Sequence, residues 1–253
     1  MKSLLRPTLA LFALAGVVAL PAQAEEFSSP QRGEIEKIVR EYLLSHPEVL
    51  QEAMAELEKR QAAAESEKHV TAVKENAKTL FSSARQIVLG NPQGDVTMVE
   101  FFDYNCGYCK RAMSDMTELL KDPKLKFVLK EFPVLGPGSV EAAQVAVAAR
   151  MQDASGKKYL DFHTKLLGGR GQADKARALA AAKEAGYDMA RLEKDMNSGE
   201  VKATLEENFK LADALGLNGT PSYVIGNDVE IGAIGLASLR EKVNTARCGK
   251  ATC

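Results

Sequence analysis

The sequence predicts an α/β protein, in which a small sheet has a block of helices inserted between its strands and a helical extension in front of it. Three observations carry this. An apolar, β-prone run, Val96 to Phe102, leads directly into Cys106-Gly107-Tyr108-Cys109 and a helical segment bearing Ala112, Met113, Met116, Leu119 and Leu120. A second such run, Leu125 to Phe132, precedes a tract of almost unbroken helical composition from Ser139 to Gly216, after which strand-forming residues return at Ser222. Ahead of all this, Ser28 to Phe81 has helical periodicity but too few apolar residues to build a core of its own.

Taken in order, the chain begins with Lys2 and Arg6, an uncharged apolar run from Leu9 to Leu20, and Ala22-Gln23-Ala24. These are the parts of a secretory signal peptide over residues 1–24, and the apolar run is shorter than the roughly 20 residues a membrane span needs. Export places the mature chain in an oxidising compartment, where cysteine pairs persist as disulfides. Residues 25–85 read as an N-terminal helical extension. Ser29 is the expected cap of its first helix, followed by Pro30, and Ile35, Ile38, Val39, Tyr42 and Leu43 share one face. His46-Pro47 interrupts the helix, and Val49, Leu50, Met54 and Leu57 form the apolar side of a second one. This stripe either folds back on the chain's own domain or meets a partner, and we expect the partner: a homo-oligomer, with a trimer preferred over a dimer.

Residues 86–253 read as one domain. Gln86 to Leu89 and the Gly90-Asn91-Pro92-Gln93-Gly94-Asp95 stretch form a short strand and a turn. Val96 to Phe102 is the central strand, apolar almost throughout as a strand covered on both faces must be. Glu100 interrupts it, and a carboxylate there is either functional or turned to water at a strand edge. Leu125 to Phe132 is the next strand, in which Lys130 is either a charge partner of Glu100 or solvent-facing. The helical insertion spans about 139–216, with Val140, Val145, Val147 and Met151 as one amphipathic segment and Tyr159, Phe162, Leu166 and Leu167 as another. Ser222 to Ile225 and Val229 to Ile231 make a hairpin, and Gly235 to Ala246 is the last helix.

The chemistry concentrates in Cys106 and Cys109. The strand-turn-helix order puts Cys106 at a helix start, where free N–H groups and the positive end of the dipole stabilise a thiolate. A thiolate attacks disulfides, and Cys109, one turn on, is placed to resolve the mixed disulfide that forms. A zinc site would need four ligands; Cys248 and Cys253 lie at the far end, and His46, His69 and His163 are scattered. No metal site and no cofactor is therefore expected. A formal net charge of −1 excludes the basic footprint of a nucleic-acid binder.

Val99 to Lys110, taken with Gly219-Thr220-Pro221-Ser222-Tyr223-Val224, resembles the DsbA-type thiol-disulfide oxidoreductases of bacterial envelopes, over roughly Ile87 to Val243. Gly107-Tyr108 between the cysteines, Thr220 before Pro221 and the helical extension are together similar to the oligomeric ScsC-like disulfide isomerases. The resemblance implies a thioredoxin fold with an inserted helical domain and an oligomerisation extension, in the periplasm. It implies a cis Thr220-Pro221 bond against the dithiol, forming a loop that binds substrate, and a buried acid, Glu100, that handles the proton of Cys109. Its partners would be disulfide-containing proteins and a membrane redox protein that recharges the dithiol. Isomerase or reductase activity is expected, against two alternatives: a monomeric DsbA-like oxidase, and an exported copper carrier that uses the same cysteines as soft ligands. Cys248 and Cys253 read as a small structural disulfide, although their spacing alone allows a metal-holding or auxiliary redox pair.

Overall fold

A computed structural model describes residues 27–153 and 155–253; the signal peptide expected over residues 1–24 lies outside them. The chain divides into two compact units, one ending at Leu57 and the other running from Glu58 to Cys253.

The first unit holds helix α1 (Ser29–Ser45) and the start of α2 (Glu48–Ser82). Ser28, not Ser29, precedes the first helical residue, because Gln31 reaches back to accept from the Ser28 N–H at 2.9 Å and closes the helix end one residue earlier. His46 leaves the helical region at φ −132° and ψ 65°, as a residue before proline must. No residue of α1 is buried, and Ile35, Ile38, Val39 and Tyr42 are all exposed, Ile38 by 64%.

The second unit is built on a five-stranded sheet of order β1 (Ile87–Gly90), β3 (Leu125–Glu131), β2 (Val96–Phe102), β4 (Ser222–Ile225) and β5 (Asp228–Ile231). The central pair β2 and β3 is parallel and every other pairing is antiparallel. A parallel pair needs a crossover, which α3 (Gly107–Leu119) supplies, so the residue after the β2 turn is forced to start a helix. Side chains alternate across the sheet. Met98 and Phe102 of β2, Phe127 and Leu129 of β3 and Tyr223 of β4 join one core cluster with α3, the helical insertion and α9 (Leu236–Cys248). Val99, Phe101, Val128 and Val224 face the other way, onto Leu211 and Ala212 of α8 (Gly199–Ala214), Leu215 just after it, and Val73 and Leu80 of α2. The C-terminal half of α2 is thus part of this unit's core.

The insertion consists of α4 (Pro137–Arg150), α5 (Lys157–Gly168), α6 (Lys175–Glu184), α7 (Met189–Asp195) and α8. The amphipathic reading of the first segment is too modest. From Ala142 to Ala149 all but Gln144 are buried, since α4 is Ala-rich and thin enough for α5, α6, α7 and α8 to pack around it. Among the described residues no helix is long and apolar enough to cross a membrane.

Lys130 takes neither of the two positions read from the sequence. In β3 it stands opposite Phe101 and so projects to the α8 side, away from Glu100, and it is fully buried. Its ammonium lies 3.9 Å from Glu207 Oε1 and finds no hydrogen-bond acceptor among the described residues. Burial lowers its pKa from 10.5 to about 8, against the opposing pull of Glu207. Between those two pH values the unfolded chain holds the proton and the folded one does not, so stability rises with pH there. Lys130→Met should therefore raise the unfolding free energy at pH 7 by about 1–3 kcal/mol, a gain that shrinks towards pH 10 in denaturant titrations.

Candidate active site

The site begins with the backbone of Cys106. It leaves β2 through a turn in which its N–H donates to the Asp103 carbonyl at 3.1 Å, and it caps α3 at φ −79° and ψ 116°. At a helix start the first N–H groups have no partner within the helix, and here the capping atom is sulfur: the Cys109 N–H points at Cys106 Sγ at 3.5 Å. The same thiol donates to the Thr220 carbonyl at 3.1 Å, and Thr220-Pro221 is a cis peptide bond at the entry to β4. Two segments 114 residues apart in sequence therefore meet at one sulfur atom.

The two thiols are both free. Cys106 is 6% exposed and Cys109 is not exposed at all, so only the first sulfur is reachable from outside. Gly107 and Tyr108 form the first residues of α3, and Tyr108 is an exposed ring under the guanidinium of Arg111, 4.2 Å from its centroid. Glu100 lies on β2 opposite Leu129 on one side and Tyr223 on the other, buried on the dithiol face. Burial first, then the charges of Cys106 and Asp115, lift its carboxyl to about 8. Burial, followed by Glu100, pushes the Cys109 thiol up as well, while a backbone hydrogen bond from Asp103 works the other way. The charge of Glu100 is thus felt at the inner sulfur, while Glu100 itself responds to Cys106 and Asp115.

The structure thus brings Cys106, Cys109, Glu100, Thr220 and Pro221 together. Cys248 and Cys253 are joined in a disulfide at the end of α9, exposed and in a different part of the unit. Among the described residues no group of three or more His, Cys, Asp or Glu side chains could hold a metal ion. His163 is buried beside the motif, its ring nitrogen 3.2 Å from the Tyr104 hydroxyl, and burial lowers its pKa to about 3. Tyr104 also meets Tyr159, whose hydroxyl donates to Glu131 at 2.6 Å. Sequence reasoning missed Asp103 and Asn105, both fixed by side-chain hydrogen bonds around the turn. An Asp and an Asn two apart just before a helix cap are turn-forming residues, and that signal was available.

Comparison with known proteins gives consistent matches. Residues 97–244 match the DSBA-like thioredoxin domain, and residues 31–64 match the copper resistance protein ScsC N-terminal domain. A thioredoxin-like oxidoreductase from Silicibacter pomeroyi is 44% identical and superposes with a TM-score of 0.64 over 67% of this chain and 96% of that one. ScsC of Proteus mirabilis in a transitional conformation is 27% identical, with a TM-score of 0.64 over 88% of this chain and 98% of its own. The Na(+)/H(+) antiporter NhaA 1 of Salinispora arenicola is 27% identical over 168 residues, 65% of this chain, and the match spans only 25% of the antiporter's length.

Because the folded acid keeps its proton up to about pH 8 and the unfolded one releases it near 4.5, the folded state binds more protons in that window and stability falls as pH rises through it. Glu100→Gln should remove this decline and leave the reduced protein about 2–4 kcal/mol more stable than the parent at pH 8 in denaturant titrations.

Proposed function

The chain belongs to the family of DSBA-like thioredoxin domains with a ScsC-type N-terminal domain, thiol-disulfide oxidoreductases, and on that premise we propose that it is an exported enzyme that isomerises and reduces disulfides of folding envelope proteins. One observation carries the chemistry: Cys106 Sγ caps α3, with the Cys109 N–H aimed at it and the carbonyl before the cis Pro221 beside it. A negative charge on that sulfur meets a backbone donor and the positive end of a helix. The Cys106 thiolate attacks a substrate disulfide, one substrate sulfur leaves as thiolate, and a mixed disulfide remains. In the fraction of molecules in which Glu100 is ionised, its carboxylate takes the Cys109 proton, and the Cys109 thiolate attacks Cys106 Sγ, releasing the second substrate thiolate and closing the Cys106–Cys109 disulfide. That is net reduction of the substrate. If a substrate thiol resolves the intermediate first, the substrate is isomerised and the dithiol is spared. The reductive cycle needs electrons, which a membrane redox partner would return to the site.

The preference for isomerisation rests on the N-terminal unit. Its apolar stripe, Ile35, Ile38, Val39 and Tyr42, is exposed and supports burial against other copies of the chain, in a homo-oligomer for which the likeness to ScsC makes a trimer our preference over a dimer. Several Cys106 sites in one assembly let one hold a misfolded chain while another attacks it. The basic and apolar start of the sequence with Ala22-Gln23-Ala24 supports export to the periplasm. The exposed Cys248–Cys253 disulfide has a structural role in this scheme.

The test is refolding of a scrambled multi-disulfide protein, together with molar mass by light scattering, for the mature chain and for a chain that begins at Glu58. The shortened form keeps Val73 and Leu80 in the core. The mature chain should be an oligomer that unscrambles, and the shortened one a monomer that still reduces simple disulfides but loses unscrambling at least tenfold. A mature monomer that oxidises dithiols and cannot unscramble would return the protein to an oxidase. Cys109→Ser should trap mixed disulfides between Cys106 and other proteins, visible by mass spectrometry under non-reducing conditions. A copper carrier would lose metal in this variant and trap nothing.

A further inference from the structure

The exchange chemistry makes no use of the Asp103 carboxylate, although this group is only 1% exposed and sits immediately before the dithiol turn. Its Oδ1 accepts from the Asn105 N–H and from the Ser139 hydroxyl, both at 2.7 Å. Its Oδ2 accepts from the N–H groups of Val134 and Leu135, at 2.8 and 2.9 Å. Four donors replace the water that a buried carboxylate gives up, which makes the burial affordable. These donors come from three places: the turn that ends in Cys106, the loop that leaves β3 after Pro133, and the first turn of α4. Asn105 extends the lattice by accepting from the Ala173 N–H at 2.7 Å and donating to the Ala173 carbonyl at 2.8 Å.

The loop held in this way has its side chains pointing outward. Val134 and Leu135 turn both amides inward to one carboxylate oxygen, and their side chains are 43% and 50% exposed. Val140, next to Ser139 on α4, and Tyr108, between the cysteines, are exposed as well. Apolar side chains on a rigid loop tied to the cysteine's own turn form a lip, not a random scatter of surface residues. Misfolded segments carry exposed apolar side chains next to their cysteines, whereas a small soluble disulfide carries none.

We propose that Asp103 is a positioning residue for protein substrates: its carboxylate holds Val134, Leu135 and Val140 as an apolar lip against which the side chains flanking a substrate cysteine lie. This rests on the disulfide-exchange reading, and the lip raises the affinity for protein over small disulfides without touching the reacting sulfurs.

The test compares kcat/KM for a scrambled protein with kcat/KM for bis(2-hydroxyethyl) disulfide, a small disulfide without apolar rings or branches, in the full mature chain and in Asp103→Asn. The amide is nearly isosteric but presents an NH2 group to donors on one side, so two of the four hydrogen bonds are lost. The protein-to-small-disulfide ratio should fall at least fivefold, carried by KM for the protein, with hydrogen exchange of the Val134 and Leu135 amides at least tenfold faster. If Asp103→Asn does not fold, the double variant Val134→Ser, Leu135→Ser on the exposed lip should lower the same ratio at least fivefold. An unchanged ratio in the folded variants, or a loss in kcat alone that is equal for both substrates, overturns the positioning role and leaves the exchange reading standing. A parent protein inert towards both substrates removes that reading and Asp103's role with it.

Discussion

The capping of α3 by a sulfur atom is the interaction on which the rest of the site depends. A helix start offers N–H groups with no partner inside the helix, and most proteins satisfy one of them with the side-chain oxygen of Ser, Thr, Asp or Asn. Cys106 occupies that position, so the hydrogen bond from the Cys109 N–H serves both the fold and the chemistry. The same geometry sends Cys109 inward, one turn along and out of solvent. The outer and inner positions of the two sulfurs, on which the proposed attacking and resolving roles rest, therefore follow from the helix's pitch and from which face of α3 is covered.

Everything under that cap is arranged by the alternation of β2 and β3. Glu100 and Lys130 sit on neighbouring strands, but residues opposite each other share a face, and Glu100 stands opposite Leu129 while Lys130 stands opposite Phe101. Among the described residues the acid is thus left without a basic partner beside the dithiol, where burial and nearby negative charge keep its proton on to about pH 8. The base goes to the other side, near Glu207, where burial draws its pKa down. Two charges that look like a pair in the linear sequence become two separately perturbed groups, one with a raised pKa beside the dithiol and the other a burden on stability.

Around the dithiol, the turn from Asp103 to Cys106 is held by polar side chains and the floor beneath it by aromatic ones. Tyr104 packs edge-on against Phe102 and meets His163, whose ring is kept neutral by its burial. In the proposed exchange, in which three sulfur atoms must align, the rigidity of the aromatic floor favours the chemistry, since positioning of reacting groups is itself a large part of the rate. The exposed residues, Tyr108, Val134 and Leu135, are attached to this rigid base, so a substrate docking there as proposed would meet a surface that does not itself need ordering.

By itself the sequence determined the elements: Val96 to Phe102 could only be a covered strand, the C-x-x-C pair could only open a helix behind it, and Pro47 had to break the first helix. These are local matters of periodicity, φ restriction and capping, and they appear where the residues say. The fold class and the family came with them, because Gly219-Thr220-Pro221 supplies a second signature far down the chain. Only the tertiary structure decided which residues meet. Thr220 reaches Cys106 across the whole helical insertion, Val73 and Leu80 of the N-terminal helix enter the core, and α4 is enclosed where its pattern suggested a single buried face. The four donors of Asp103, drawn from three separate segments, belong to the same class. Such contacts depend on side-chain direction and on loops closing over long separations, and neither is carried by the spacing of residues along one strand or one helix.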